Sequence, residues 1–337
     1  MDSSVLSPFE LLRPLARHPG SVVLEVRHRQ TGERFALTLF RHRDPEAVAH
    51  LREMLPTLHA LRHPNLVGVH EVLEVDGRPA LLLDPAEGPT LADALADEPF
   101  TPEQADDIGR GLLEGLRALH EAGLVHGRLD PRSVLLVVGA TGPIARITDP
   151  GPCGGVPIQR HRATAYLSPE QVADPLACTV QGDLFSAGAI LYELVTATRA
   201  FEGEDAEAVA AQIVEGLFVP PQERVPGLPE RHVRAITRAL RPDPDQRAQT
   251  ARELLAVWEG AEESTGRVAP SRAWDDRSTG RLRALWTDRL PEEITLEDLI
   301  PPASPPVPTP RSGGQWVVGA VLALALGFLA FLVGWLG

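Results

Sequence analysis

The first third of the chain carries short apolar runs, and the next stretch changes to helical spacing. Runs at 22–26 and 35–40 flank Gln30-Thr31-Gly32-Glu33, which predicts two strands joined by a hairpin-like turn. Residues 8–40 and 66–84 together read as strands. Between them Val48, Leu51, Leu55 and Leu58 recur every three or four residues and predict a helix over 44–61. After Thr90 helical spacing dominates, over 101–122, 184–196, 206–215, 229–240 and 248–258. Thr101-Pro102-Glu103-Gln104 reads as a helix start, with a threonine cap and proline in the first turn. The predicted class is α+β: a small strand-rich lobe over about 8–85 and a larger helical lobe over about 86–261.

Beyond 261 the pattern changes. Residues 262–300 are polar and turn-rich, with Ser264-Thr265-Gly266-Arg267 repeated as Ser278-Thr279-Gly280-Arg281 and with Trp274 and Trp286 nearby. This stretch is expected to be a flexible arm, a docking segment that orders on a partner. Residues 291–300 suit a short amphipathic helix. Pro301 opens a proline-rich run, and 301–315 is expected to be a semi-rigid linker. Residues 316–336 carry no charge and have Trp316 and Trp335 at their ends. At 1.5 Å per residue such a helix covers about 30 Å, so 316–336 is expected to span a membrane. Arg311 and its neighbours lie on the N-terminal side. That asymmetry predicts a single-pass protein of the cytoplasmic membrane, anchored C-terminally with its body in the cytoplasm. The first fourteen residues have no uncharged apolar core, so no secretory leader is expected.

Composition narrows the chemistry. The net charge is −14, and all 32 basic residues are arginine. The absence of lysine removes Schiff-base chemistry and any lysine clamp on a nucleotide. The acidic balance argues against nucleic acid as a partner. Cys153 and Cys178 are too few for a disulfide framework or a four-cysteine zinc site.

Several segments, in order, resemble the protein kinase family and its bacterial Ser/Thr branch. His28 to Leu37 resembles the turn into the third strand, and Arg62-His63-Pro64-Asn65 the turn after the regulatory helix. Val125 to Leu135 resembles the catalytic loop, and Asp149-Pro150-Gly151 the metal-binding triplet. Tyr166-Leu167-Ser168-Pro169-Glu170 resembles the end of the activation segment, and Gly182 to Glu193 the start of the large central helix. Arg247 matches the arginine that pairs with the glutamate of the Ser-Pro-Glu triplet. The resemblance covers residues 9–258 and implies a bilobal kinase fold.

The same alignment implies that the chemistry is degraded. The family's three loop glycines fall on Ala16, His18 and Ser21, and Pro19 removes a further N–H. The strand lysine is Thr38, with Arg27 the one arginine nearby to replace it. Glu53 stands one position out of register with the family's ion-pair glutamate. The catalytic aspartate is Arg128, which cannot accept a proton. Asp130 stands at the loop lysine's position, and the metal-binding asparagine is Ser133, a weaker ligand. Asp149 keeps the family's Mg²⁺-binding carboxylate and is read either as a metal-nucleotide ligand or as a local cap. The Asp84 carbonyl and the Ala86 N–H are placed to contact a purine. The family threonine of the activation segment falls on Ala163. The resemblance therefore implies a pseudokinase with no catalytic residues and no required cofactor, though ATP with Mg²⁺ remains a candidate ligand. The alternatives are a divergent Ser/Thr kinase with weak ATP-dependent activity and a non-catalytic nucleotide sensor. The partner expected is a signalling protein such as an active kinase, with the membrane engaged through 316–336.

Overall fold

The computed structural model describes residues 6–17, 21–41, 43, 45–139, 142–149, 164–260 and 274–287. The loop tip at 18–20, the activation segment at 150–163 and residues 261–273 lie outside them. So does everything from 288, including the helix expected at 291–300, the proline-rich linker and the expected span at 316–336. Among the described residues no helix is long and apolar enough to cross a membrane.

Strands β1 (Phe9–Arg17), β2 (Ser21–His28), β3 (Arg34–Phe40), β4 (Val69–Val75) and β5 (Arg78–Leu83) form one antiparallel sheet in the order β1-β2-β3-β5-β4. The turn between β2 and β3 closes through Gly32 at φ +76°, a left-handed conformation that glycine adopts without steric cost. β3 is interior, so Thr38 pairs with Val23 on one side and Leu81 on the other. Helix α1 (Pro45–Ala60) packs on β4 and β5 through Ala47, Val48, Leu51 and Leu58. Burying each such leucine contributes about 1.5–3 kcal/mol. Glu53 lies on the exposed face of α1.

The larger lobe begins with α2 (Leu91–Asp97) and α3 (Pro102–Glu121). Both start on capping boxes. Thr101 and Gln104 bond reciprocally at the start of α3, as its sequence predicts. Thr90 and Asp93 do the same for α2, a helix too short to show a period. A two-stranded ribbon follows, β6 (Val134–Val138) with β7 (Pro143–Ile147). Then come α4 (Pro169–Ala173), α5 (Val180–Thr196), α6 (Ala206–Glu215), α7 (Pro221–Arg224), α8 (Glu230–Ala239) and α9 (Ala251–Glu259). α5 starts four residues earlier than its apolar run, because the Thr179 side chain accepts from the Gly182 N–H. The 63–67 turn joins the lobes: the Val67 N–H donates to Ile147 and the Ile147 N–H to Asn65, at 2.8 and 2.9 Å.

α3 approaches α9 at Gly109, where a Cβ would come within 2.6 Å of the buried Trp258 ring. The Trp258 indole donates to the Asp106 carbonyl oxygen and stacks on His232 at 4.0 Å. Arg247, 3% exposed, holds the end of α4 against α5. Its guanidinium forks onto the Glu170 carboxylate at 3.0 and 3.1 Å. It also donates to the Gln181, Arg241 and Pro242 carbonyls.

One sequence expectation is corrected here. Within the stretch read as a flexible arm, α10 (Asp276–Thr287) is a helix packed on α2 and β6. Leu282 is fully buried, and Arg281 pairs with Glu98 at 2.7 Å while lying over the Phe100 ring. The Gln104 amide donates to Ser278 at 3.1 Å, and Trp274 meets Phe100 edge-on. The polar surface of this segment faces outward, and its apolar residues at three- and four-residue intervals face the lobe.

Removing one partner of a buried ion pair leaves the other without compensation, which costs about 3–5 kcal/mol. Arg247→Ala is therefore expected to lower the unfolding free energy by that amount in a denaturant titration. A loss of less than about 1 kcal/mol, the surface-pair range, would show that the fork is not structural.

Candidate functional site

The two lobes enclose a cleft of about 310 Å³. Ala16, Val23 and Ala36 form its roof, Leu135 its floor, and the Leu83–Ala86 segment its inner edge. β3 carries Thr38 toward the cleft's inner end, and the turn after β7 carries Asp149. Thr38 is fully buried, and its hydroxyl donates to Asp149 Oδ1 at 2.6 Å. Asp149 sits at φ +54°, a left-handed conformation that is uncommon outside glycine. The hydrogen bond from Thr38 holds the carboxylate in that conformation.

The 126–133 loop approaches from below. His126 is fully buried, and burial pushes its imidazole below the ordinary range, so the ring is neutral. Its Nε2–H donates to the Thr148 carbonyl at 3.0 Å. Its Nδ1 accepts the Arg128 N–H at 3.3 Å, which fixes the tautomer. The Arg128 side chain lies over the Phe40 ring at 5.6 Å. Burial presses its guanidinium below the usual arginine range, and the nearby Asp149 and Asp130 carboxylates pull the other way. Position 128 therefore holds a cation that interacts electrostatically with Asp149.

The remaining candidates are committed elsewhere. Asp130 caps the short turn at Pro131–Ser133 by accepting the Arg132 N–H at 2.7 Å, and it pairs with the Arg132 guanidinium at 2.6 Å. Ser133 completes that capping box, its Oγ accepting the Asp130 N–H at 3.1 Å, and its hydroxyl also donates to the Asp130 carbonyl at 2.8 Å. The Asp84 side chain turns to His70, and its N–H donates to Gly68 at 2.8 Å. Asp84 and Ala86 both line the cleft. The inward role considered for Arg27 is corrected: it pairs with Glu10 at 2.7 Å, and both side chains are 43% exposed. β1 and β2 place that pair at sheet register Glu10–Arg27, away from Thr38.

The residue set does not fit a magnesium ion. One Asp149 oxygen already accepts from Thr38, the Ser133 hydroxyl is used in its own cap, and the Arg128 guanidinium already offsets the Asp149 charge that a cation would need. Among the described residues no group of three or more metal-type side chains gathers.

Two contributions escape the motif alignment. One is the Thr38–Asp149 bond, which spans 111 residues and has no local signal. The other is α10, whose Leu285 and Trp286 line the cleft. The spacing Leu282, Leu285, Trp286 carries a helical signal, masked by the charged residues around it.

The family described as protein kinase domain matches residues 11–258. This chain belongs to the protein kinase family. Its relatives place it in the bacterial Ser/Thr branch. It is 28% identical to the serine/threonine-protein kinase PknB of Mycolicibacterium smegmatis over 302 residues, 84% of this chain and 47% of that protein. It is 25% identical to the probable serine/threonine-protein kinase CPE1738 of Clostridium perfringens, over 80% of this chain and 40% of that protein. It is 33% identical to the probable serine/threonine-protein kinase CE0033 of Corynebacterium efficiens, over 58% of this chain and 32% of that protein. The chain thus spans about half the length, or less, of the curated relatives it matches. The strand-rich and helical lobes are the bilobal kinase fold, whose typical members take ATP with Mg²⁺.

A hydrogen bond to a charged group contributes about 1.5–3 kcal/mol. Thr38→Val is expected to cost that much in denaturant unfolding, whereas Thr38→Ser is expected to stay near wild type. Equal stability of the valine variant would remove the bond from the account. Millimolar Mg²⁺ is expected to leave the wild-type melting temperature unchanged.

Proposed function

We propose that this chain is a pseudokinase, a member of the bacterial Ser/Thr branch that acts as a regulatory or scaffold module without phosphoryl transfer. The observation that carries the reading is the inner end of the cleft, where Thr38 bonds Asp149 and Arg128 stands beside it. Phosphoryl transfer depends on positioning and on neutralising charge at the phosphates. It also needs a group to receive the hydroxyl proton. In this site the lysine is a neutral hydroxyl and the proton acceptor is a protonated guanidinium. The metal's carboxylate is already paired internally. Each loss in such a site costs orders of magnitude in rate.

The rival reading of a weakly active kinase needs a replacement base, and Asp130 is held in a cap by Arg132. The second reading, a non-catalytic ligand sensor, is favoured by the cleft, which is still open at about 310 Å³. In both readings the partner is a signalling protein, with an active kinase as the leading class. The C-terminal 316–336 segment would tether the module to the cytoplasmic membrane, with the kinase-like lobes in the cytoplasm.

The test is transfer of labelled phosphate from Mg-ATP by the 337-residue chain, to itself and to a generic protein substrate. No transfer is expected, either from wild type or from the Thr38→Lys/Arg128→Asp double variant, because the loop glycines and the second metal ligand stay missing. Autophosphorylation that disappears in Asp149→Ala would overturn the proposal.

A further inference from the structure

The cleft has a wall that the kinase lobes do not supply. α10 lies beyond the family match, which ends at 258, yet it brings Leu285 and Trp286 to the cleft. The helix is fixed by a fully buried Leu282, the Arg281–Glu98 pair, the Gln104–Ser278 hydrogen bond and the Trp274–Phe100 contact. Leu285 and Trp286 are only partly buried, so part of each side chain is left to face a ligand. A tryptophan ring offers a flat apolar face that aromatic heterocycles stack on.

The described lining offers an anion little to bind. Its carboxylates are Asp84, which faces His70, Asp93, which caps α2, and Asp149, which accepts from Thr38, and its one cation among the described residues is Arg132. Arg132 is already paired with Asp130, and Arg128 beyond the lining is balanced by Asp149 and Asp130. A triphosphate would find no uncommitted cation among the described lining residues to hold its charge. The volume of about 310 Å³ sits at the lower end of ligand pockets, roughly 300–1,000 Å³, and suits a base with its sugar. Ala86 lines the same cleft, where a backbone N–H is the kind of group that orients a base.

We propose that Trp286 and Leu285 form part of the ligand site, and that the composite cleft binds an uncharged nucleoside in preference to a nucleoside triphosphate, without metal. The inference rests on the non-catalytic reading of the cleft and goes beyond it by naming the ligand class and the residue outside the kinase lobes that recognises it.

Adenosine is the probe, titrated calorimetrically into the 337-residue chain with and without EDTA, with Mg-ATP titrated in parallel. Adenosine is expected to bind equally with and without EDTA, and Mg-ATP at least about tenfold more weakly. Loss of one base–aromatic stack is expected to weaken adenosine by about tenfold or more in Trp286→Ala. Trp286→Phe is expected to recover most of that loss. Trp286 sits at the half-exposed end of α10, so the alanine variant is expected to melt within a few degrees of wild type. The proposal is overturned by unchanged adenosine affinity in Trp286→Ala, by tighter binding there, by no adenosine binding to wild type, or by a preference for Mg-ATP. Labelled phosphate transfer by wild type is a separate readout. It would overturn the non-catalytic reading, while an unaltered Trp286→Ala titration would overturn only the composite wall.

Discussion

One buried carboxylate organises the larger lobe around the cleft. Asp183 is 1% exposed, and it accepts the His126 N–H at 2.7 Å and the Gly127 N–H at 2.8 Å. The His120 Nε2–H adds a third bond at 2.9 Å. A bare buried carboxylate would be strongly unfavourable, and these donors replace the water it has lost. In return they fix the backbone of the 126–133 loop to α5 and α3. Gly127, at φ +73°, makes the bend this requires, and Gln171 ties its carbonyl to α4 at 2.7 Å. The loop's shape is therefore set by Asp183, Gln171 and His126, none of which does chemistry. The side chain at 128 can change from a base to a cation without disturbing that frame.

That separation explains how the fold persists while the site is rewritten. Arg247 with Glu170, Asp183 with its donors, and Trp258 with Asp106 are scaffold contacts, and all are intact. Thr38, Arg128 and Ser133 are the exchanged positions, and each has found a local use. Thr38 serves Asp149, Arg128 lies over Phe40 between two carboxylates, and Ser133 closes a capping box. Polar groups without partners here would be buried at a cost of about 1–3 kcal/mol each. The polar groups at 38 and 133 are hydrogen-bonded and the Arg128 charge is offset by Asp149 and Asp130, so these side chains are compatible with a stable fold.

The strands, the long helices and the two-lobe order were legible because period and caps are local signals, as at 101–104 and in the face Val48, Leu51, Leu58. Asp84, Ala86 and Asp149 line the cleft and Thr38 bonds Asp149, at positions that the ordered motifs singled out. What each side chain does there was not legible. A bond across 111 residues leaves no trace in either segment, and neither does the choice of Glu10 by Arg27. α2 and α10 were missed for different reasons. α2 has seven residues, fewer than two helical turns of pattern, and its start is set by the Thr90–Asp93 box. α10 carries Gly280 and three arginines, and its apolar residues gain a face only against α2 and β6.

The exchanges at 38 and 128 are best understood as one change in charge around Asp149. A kinase site surrounds this carboxylate with a lysine and metal ions, and it carries a second carboxylate as the base. Here the base is a guanidinium and the lysine is a hydroxyl, so one carboxylate faces one cation and one neutral donor. A lysine at 38 beside Arg128 would crowd two cations onto a single carboxylate in a buried space, where like charges repel strongly. An aspartate at 128 beside Asp149 without metal would repel in the opposite sense. Thr38 and Arg128 are each compatible with the other around Asp149. The compensated charges leave the cleft's inner end nearly neutral, so the proposed selectivity rests on the apolar roof, the Leu135 floor and the ring that α10 supplies.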